Sequence, residues 1–411
     1  MNVAKALELT VRLTVPIGAY LLGPRPFAPL PSLSLRIPIQ PPFYRVSALP
    51  TTSLPGARHH YSTAAPNAPQ ISYHIASSYS AKGHRLDPER NLYNYDSFVK
   101  LKKTASELDS GKKDKKNRPK SGQDSFFVSQ VGDTSSVAFG VADGVGGWAD
   151  SGVDAADFAH ALCDYMASAA SAYPNGFPQG ALHPKELLQS GYDRVIKDKS
   201  VDAGGSTASL AIAETDGQMQ VANLGDSGFL HIGVNAVRHV SPAQTHAFNT
   251  PYQLSKIPKQ MQAQMALFSG SQQLSDLPKD AAISNHQLRH GDIAIFATDG
   301  VFDNLSPEDM LKIVSRYMVD LGAWDDTESG IEISGKLRSL TQRGASSQSG
   351  DNSLQAVLAI AVTNEAKKAS LNARRDGPFA KEVQKHYPGE NWHGGKPDDI
   401  CVVVAVAVGS K

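Results

Sequence analysis

The sequence predicts an α+β fold in which two antiparallel β-sheets stack on each other and helices cover them. One observation is a set of short apolar runs rich in β-branched and aromatic residues, each bounded by Gly, Asp or Pro. Another is that several turns between these runs are short, such as TDGQ at 215–218, which favours hairpins over crossover connections. Longer segments with helical periodicity lie between the groups of strands. The 411 residues are 41% hydrophobic, enough to bury such a core.

The strand predictions depend on β-branched and aromatic content together with bounding turn residues. They fall at 71–78, 125–131, 135–143, 206–214, 218–226, 228–233, 292–299 and 400–408. The polar connection at 241–279 interrupts this pattern and is predicted to be a surface flap.

Four segments are predicted to be helices, at 154–170, 185–198, 306–320 and 351–371. In the first, Phe158, Leu162 and Met166 recur every four residues and share one face. The third begins with Ser306 as N-cap, Pro307 at the first helical position and Asp309 as the capping-box acid. The fourth is apolar on most faces in its first half, as expected for a helix pressed between layers.

Charge and cysteine content exclude several classes of protein. Lys plus Arg and Asp plus Glu are equal at 40 each, so no global charge favours nucleic acid as a partner. The one basic run, at 112–120, is predicted to be a solvated loop. Cys163 and Cys401 are far apart and no CxxC occurs, so neither a disulfide framework nor a zinc site is indicated, and a reducing compartment fits.

The first 70 residues have a different composition from the rest. They contain six basic residues and one acidic residue, Glu8, among many Ser, Thr, Ala, Leu and Pro. This composition is typical of a mitochondrial transit peptide, and a disordered tail is the alternative. We therefore expect a leader at 1–61, a linker at 62–70 and one domain at 71–411. The apolar stretch 9–22 is too short to span a bilayer, so no transmembrane anchor is expected.

Acidic residues stand at the ends of several predicted strands. Asp before Gly is by itself an ordinary turn signal, and each motif alone favours that interpretation. Together they form a pattern: Asp124 precedes a strand, Asp143 and Asp299 follow strands, Asp226 lies between two strands, and Asp398 with Asp399 precedes the last strand.

Carboxylates gathered at one sheet edge cannot all ionise unless a positive charge lies among them, because each raises the pKa of its neighbours. Oxygen ligands without His or Cys favour Mg²⁺ or Mn²⁺ over zinc or copper. Gly144 lets the chain turn after Asp143 and exposes a backbone carbonyl as a further oxygen ligand. The sequence therefore predicts a two-metal site.

The GDSG stretch at 225–228 also spells the nucleophile signature of chymotrypsin-like serine proteases. Ser227 would then be a nucleophile, but Phe229 follows where that signature continues differently, and no segment supplies the required histidine. A serine without a placed base is inert. Asp226 is therefore the better candidate in this stretch.

Six ordered motifs carry a family resemblance: GQDSFF, VADGVGGW, GGSTASLAI, NLGDSGF, ATDGVFDN and KPDDICVVV. Together they resemble the metal-dependent serine/threonine protein phosphatases of the PPM, or type 2C, family, from about residue 71 to 408. VADGVGGW, HAFNTPYQL and GGKPDD resemble the mitochondrial, fungal Ptc-seven-like branch, which lacks a histidine in the second motif. The resemblance implies an αββα sandwich whose cleft binds metal at one edge of the paired sheets.

The resemblance also implies residue roles. Asp143 would bridge two Mn²⁺ or Mg²⁺ ions, and Gly144 would offer its carbonyl to one of them. Asp299 and Asp398 would complete the direct shell, and Asp124 would act through bound water. Asp226 matches an acid near a third, weaker metal. A water activated by the two ions would attack the phosphorus of phosphoserine or phosphothreonine.

Two departures from the family pattern matter. Many members have a histidine, thought to protonate the leaving group, where this chain has Val145. The phosphate-binding arginine has no residue cleanly in register, and Arg118 is the nearest candidate, with a solvated loop residue as the alternative. The expected function is hydrolysis of phosphoproteins in the mitochondrial matrix. The alternative is a catalytically weak pseudophosphatase that acts as a binding or regulatory module. Oligomeric state cannot be read from the sequence.

Overall fold

The computed structural model describes residues 70–95, 118–177, 180–259, 261, 276–342 and 352–410. The predicted leader and the linker up to residue 69 lie outside them. Within the described residues the strands are β1 Ile71–Ser80, β2 Leu92–Asn94, β3 Ser125–Gln130, β4 Val137–Ala142, β5 Gly204–Ser206, β6 Ala208–Ala213, β7 Gln218–Leu224, β8 Gly228–Gly233, β9 Ala236–Val240, β10 Thr245–Ala247, β11 Thr250–Pro251, β12 Leu254–Lys256, β13 Ala282–Gln287, β14 Ile293–Ala297, β15 Trp324–Thr327, β16 Gly330–Ile333 and β17 Ile400–Gly409.

The helices in the same part of the chain include four long ones and three short ones. They are α1 Ala155–Ser171, α2 Pro184–Lys197, α3 Asp299–Phe302, α4 Pro307–Asp320, α5 Leu337–Thr341, α6 Leu354–Ser370 and α7 Pro378–His386. Two 3₁₀ turns, Gly146–Ser151 and Pro278–Asp280, complete the described helical structure.

Eleven of the seventeen described strands form two large antiparallel sheets, and the other six pair in two-stranded sheets. One sheet has six strands in the order β2-β1-β17-β14-β8-β9, and the other has five in the order β13-β7-β6-β4-β3. Helices α1 and α2 cover the outer face of the five-stranded sheet, and α4, α5 and α6 cover the six-stranded one. The αββα sandwich of two antiparallel sheets flanked by helices is therefore confirmed.

Strand β17 shows why its apolar run folds at the centre of this sandwich. Alternate side chains of a strand point to opposite faces of its sheet. Residues Cys401, Val403, Ala405 and Ala407 belong to the core between the two sheets. Residues Val402, Val404, Val406 and Val408 pack in the core beneath the helices. Because both faces are buried, the strand is apolar throughout rather than alternating.

The predicted helices and strands agree with these elements to within a few residues. The Ser306 side chain accepts a hydrogen bond from the Asp309 amide, 3.2 Å away, as the capping pattern predicts. Strands β2, β9, β13, β15 and β16 were not predicted, nor were the short strands β10 to β12 within the flap. Strand β13 lies at the edge of its sheet and is largely exposed, so its sequence, AISNHQ, carries little of the apolar signal of a buried strand.

The predicted flap contains strands β10 to β12 and part of its length lies outside the described residues. Its β10-β11 hairpin places Phe248 against Phe379 of α7, with ring centroids 5.6 Å apart. The Gln244 amide donates to the Gly225 carbonyl, 2.9 Å away, which ties the start of the flap to the GDSG turn. In the described part of the chain, no helix combines the length and hydropathy needed to cross a membrane.

His160 is a buried histidine on α1. Its side chain is 5% exposed and its Nδ1 lies 3.3 Å from the Ser125 Oγ. Burial, together with the Arg118 charge, lowers the pKa of His160 to about 4. The unfolded chain therefore binds a proton at His160 more tightly than the folded chain does. The free energy of unfolding accordingly decreases as the pH falls from 6.5 towards 4.

Between pH 6.5 and 4 we expect the unfolding free energy of His160→Gln to fall less than that of the wild type. The difference between the two should be up to about 3 kcal/mol. Urea unfolding at a series of pH values measures this difference. His84→Gln, at an exposed histidine of the β1–β2 loop, is the control and should leave the decline as in the wild type. Identical pH profiles for His160→Gln and wild type would contradict this assignment.

Candidate active site

The ends of the central strands bring the predicted acids together at one edge of the sandwich. Asp124 directly precedes β3 and Asp143 directly follows β4. These strands are antiparallel and pair Ser125 with Ala142, so the two acids lie at the same end of the five-stranded sheet.

The six-stranded sheet contributes acids at the matching end. Strand β14 pairs Ala297 with Val402 of β17, so the end of β14, where Asp299 begins α3, meets the start of β17, which Asp398 precedes. Asp226 lies where the chain crosses from β7 of one sheet to β8 of the other. The topology therefore explains why five acids far apart in sequence converge.

A lysine lies among these carboxylates. The Lys396 Nζ is 2.7 Å from the Asp299 Oδ2, 2.6 Å from the Asp303 Oδ2 and 3.3 Å from the Asp398 Oδ2. The Phe379 ring lies beneath it, with its centroid 5.0 Å from Nζ. One ammonium thus forms ion pairs with three acids, two of which were predicted as metal ligands.

Buried hydrogen bonds orient the acids. Thr298, which directly follows β14, donates from Oγ1 to the Asp124 Oδ2, 2.8 Å away. Asp399 accepts from two backbone amides, those of Lys82 at 2.5 Å and Gln123 at 2.9 Å. Asp399 therefore holds the β1–β2 loop and the segment before Asp124 against the start of β17.

The GDSG turn is tied to the loop after β4. The Ser227 Oγ lies 2.7 Å from the Thr207 Oγ1, and Thr207 also accepts from the Asp143 amide at 3.3 Å. The Ser227 side chain is 1% exposed. A hydroxyl buried against another hydroxyl cannot attack a substrate, so Ser227 is a structural residue, as predicted from the sequence.

Burial, and after it electrostatic repulsion, shifts the pKa of most of these acids upward. Burial and then the charge of Asp399 raise the pKa of Asp124, and burial and then Asp124 raise that of Asp143. Burial and then Asp299 raise the pKa of Asp226 to about 7 and that of Asp398 above its usual range.

Asp299 behaves in the opposite way. Burial opposes its ionisation, but the ion pair and hydrogen bond from Lys396 lower its pKa below the usual value. Asp303 accepts from the same ammonium, yet burial and the Asp299 charge raise its pKa to about 8. One lysine therefore compensates only part of the negative charge, and the cluster as a whole requires further positive charge to ionise fully.

The residues fit divalent cations by their chemistry. The Asp124 Oδ1 is buried and has no hydrogen-bond partner, which is costly for a carboxylate unless a cation or a bound water satisfies it. The donors at this edge are oxygens, which suit Mg²⁺ or Mn²⁺. No three carboxylate, histidine or thiol side chains within the described ranges stand ready at metal-ligating positions.

Gly144 is required for close packing rather than for an unusual turn. A Cβ at this position would lie 2.5 Å from the Ala155 carbonyl oxygen and 2.7 Å from that of Gln123. The residue pairs with Ser206 through an isolated bridge beside β5. Glycine therefore lets the backbone after Asp143 approach α1 and the segment before β3 at once.

Arg118 and Val145 are the two positions at which the sequence departs from the family pattern. The Arg118 guanidinium lies 2.6 Å from the Asp157 Oδ1 and 3.6 Å from the Asp154 Oδ2, at the beginning of α1. Arg118 thus forms ion pairs with two acids of the α1 N-terminus. Its binding of phosphate stays a prediction. The Val145 side chain carries no group that could donate a proton.

Two members of the cluster, Asp303 and Lys396, were not predicted from the sequence. Asp303 stands four residues after Asp299, one helical turn away, and this spacing could have placed both on one face. Lys396 stands two residues before Asp398, the spacing that puts side chains on one side of an extended segment. Neither spacing alone distinguishes a site residue from a solvated one.

Comparisons with known proteins identify the family of the chain. The family model described as "Protein phosphatase 2C" matches residues 115–329. The chain is 33% identical over 288 residues to "Protein phosphatase 2C homolog 7, mitochondrial" of Saccharomyces cerevisiae, covering 70% of this chain and 74% of that protein. It is 36% identical over 288 residues to "Protein phosphatase PTC7 homolog fig" of Drosophila yakuba, covering 69% and 75%.

Among solved structures, the photosystem II phosphatase PBCP is similar at a TM-score of 0.49 and 23% identity, covering 69% of this chain and 91% of that one. The family match spans about half of the sequence and includes four of the five clustered acids, with Asp398 beyond its end. The chain belongs to the protein phosphatase 2C family and is a protein-serine/threonine phosphatase.

Proposed function

We propose that this phosphatase depends on two Mn²⁺ or Mg²⁺ ions and acts on phosphoproteins of the mitochondrial matrix. The observation that carries the metal requirement is the convergence of Asp124, Asp143, Asp226, Asp299 and Asp398 at one edge of the sandwich. Their mutual repulsion and the unpartnered Asp124 Oδ1 support a site completed by divalent cations.

The direct ligands would be Asp143, Asp299 and Asp398 with the Gly144 carbonyl, and Asp124 would act from the next layer through water. Two divalent cations supply such a site with a nucleophile generated from water at neutral pH and with neutralisation of phosphoryl charge. Thr298 and Thr207 fix Asp124 and the Asp143 backbone, so that the ligands are oriented in advance. Arg118 is proposed to bind the substrate phosphate, for which its ion pairs with α1 would have to open.

Hydrolysis by the metal-stripped chain is the direct test of this proposal. After treatment with EDTA, we expect hydrolysis of p-nitrophenyl phosphate and of a phosphothreonine peptide to fall to background and to return on titration with Mn²⁺ or Mg²⁺. Full activity that persists without metal would refute the two-metal proposal. Tight metal binding without hydrolysis of either substrate would favour the pseudophosphatase alternative, to which Val145 gives a physical basis.

The proposed location depends on the N-terminal composition and on the mitochondrial name of the yeast relative. We expect the intact chain to enter isolated mitochondria, to become protected from added protease after the outer membrane is opened, and to be shortened near residue 62. Loss of protection on opening the outer membrane alone would place the protein outside the matrix. Deletion of residues 1–61 is the matched control and should abolish import.

A further inference from the structure

Lys396 forms a fixed positive charge inside the carboxylate cluster. Its side chain is 17% exposed, and its Nζ contacts one Oδ2 atom from each of three acids at 2.6 to 3.3 Å. A single cation surrounded by carboxylate oxygens from three residues resembles the environment of a bound metal ion more than that of a surface ion pair. The ammonium therefore stands where a hard cation would find its donors.

The backbone around Lys396 is anchored independently of these ion pairs. The buried Asn304 side chain accepts from the Lys396 amide at 2.9 Å and donates to the Lys396 carbonyl at 2.9 Å. Asn304 also donates to the Gly300 carbonyl at 2.9 Å, so it joins this segment to α3, which carries Asp299. The lysine is thus held at a fixed position relative to the acids it contacts.

The ammonium approaches each of the three carboxylates at its Oδ2 atom. Its hydrogen bonds to Asp299 and Asp303 are both donated to Oδ2. Asp398 Oδ1 accepts from the Asp399 amide at 3.0 Å, which fixes the orientation of this carboxylate. Asp143 is not among the carboxylates that contact the ammonium, so two metal ions at Asp143 and a lysine at Asp303 can be present together.

We propose that the Lys396 ammonium, bound to Asp299, Asp303 and Asp398, replaces the third divalent cation that the family resemblance places near Asp226, so that the centre takes two metal ions rather than three. This inference rests on the proposed metal dependence. A divalent ion and an ammonium cannot share the same three oxygens, because both contact them directly and repel each other. The lysine thus provides charge compensation that does not depend on the metal concentration.

The number of Mn²⁺ ions bound by the full chain tests this proposal. The metal-stripped protein is dialysed against a series of Mn²⁺ concentrations, and bound metal is measured by mass spectrometry. We expect the wild type to saturate at about two ions and Lys396→Met at about three. The double variant Lys396→Met with Asp303→Asn should return to about two, because the third position loses a ligand.

Two controls separate charge from position. Lys82→Met removes an ammonium that lies 3.9 Å from the Asp398 Oδ1. This ammonium is not one that contacts Asp303, so the variant should still bind about two Mn²⁺ ions. Lys396→Arg keeps the positive charge and should also bind about two ions. Circular dichroism confirms that each variant is folded before metal is counted.

The outcomes distinguish this proposal from the proposed function. If the wild type binds three ions, or if folded Lys396→Met binds two or fewer, Lys396 does not replace a cation, and the metal dependence still stands. If the wild type binds none and hydrolyses phosphate esters in EDTA, the metal dependence itself fails. An extra ion in Lys396→Met that is absent from both single-lysine controls supports the replacement.

Discussion

We expect Asp143→Asn to remove nearly all phosphate-ester hydrolysis while the chain stays folded. Asp143 follows β4 at the centre of the cluster and is the acid proposed to bridge both metal ions. Asparagine keeps the shape of the side chain but removes the charge that holds a cation. We expect kcat/KM to fall by about three orders of magnitude, equivalent to about 4 kcal/mol of transition-state stabilisation.

The same substitution should not weaken the metal-free fold. Burial and the charges of Asp124, Asp299 and Asp398 raise the pKa of Asp143, so its ionised form is disfavoured in the folded protein. A neutral side chain removes this repulsion, and we expect the metal-free variant to be at least as stable as wild type at pH 8. Stabilisation by added Mn²⁺ should be lost, because it requires the bridging carboxylate.

Steady-state hydrolysis of p-nitrophenyl phosphate and thermal unfolding with and without Mn²⁺ measure these effects. Asp150→Asn is the matched control, because Asp150 is an exposed acid in the neighbouring 3₁₀ turn, Gly146–Ser151. It should leave both activity and Mn²⁺ stabilisation within about twofold of wild type. Wild-type activity in Asp143→Asn would remove Asp143 from the site and with it the proposed arrangement of ligands.

The buried helices and strands and the acids at strand ends could be predicted from the sequence, because each depends on a pattern within a few neighbouring residues. Strand β8 was predicted with its observed bounds, since its apolar residues lie between the Gly228 and Gly233 positions. Edge strand β13 and helix α7 were missed, because an exposed edge and a short amphipathic helix lack a continuous apolar run. The elements predicted most accurately are therefore those that are buried on both faces.

The site shows the same division. The five acids were found because each stands beside a strand, and the topology then brings them together. Lys396 gave no comparable signal, because its role depends on Asp299 and Asp303, which lie more than 90 residues away along the chain. A lysine in a Gly-Lys-Pro segment is as consistent with a solvated turn as with a buried ion pair. Only the three-dimensional contacts distinguish these interpretations.

Gly300→Ala should damage both the fold and the metal centre. Gly300 follows Asp299 in α3, where a Cβ would lie 1.9 Å from the Asp399 carbonyl oxygen and 3.1 Å from the Ile400 Cγ1. Neither neighbour can move easily, because Ile400 begins the buried strand β17 and Asp399 holds two backbone amides. We expect the substitution to lower the free energy of unfolding by about 3 kcal/mol.

The damage should reach the metal through Asp398, which precedes these two residues. Pushing the start of β17 away from α3 separates Asp398 from Asp299, and we expect the dissociation constant for Mn²⁺ to rise by about tenfold to hundredfold. Gly335→Ala is the matched control, because a Cβ added at Gly335 would have no atom within 4 Å and the backbone there is not left-handed. Urea unfolding and Mn²⁺ titration of the two variants make the comparison. Equal stability and metal affinity in both would mean that α3 and β17 do not meet as closely as described, and the register that joins Asp299 to Asp398 would have to be revised.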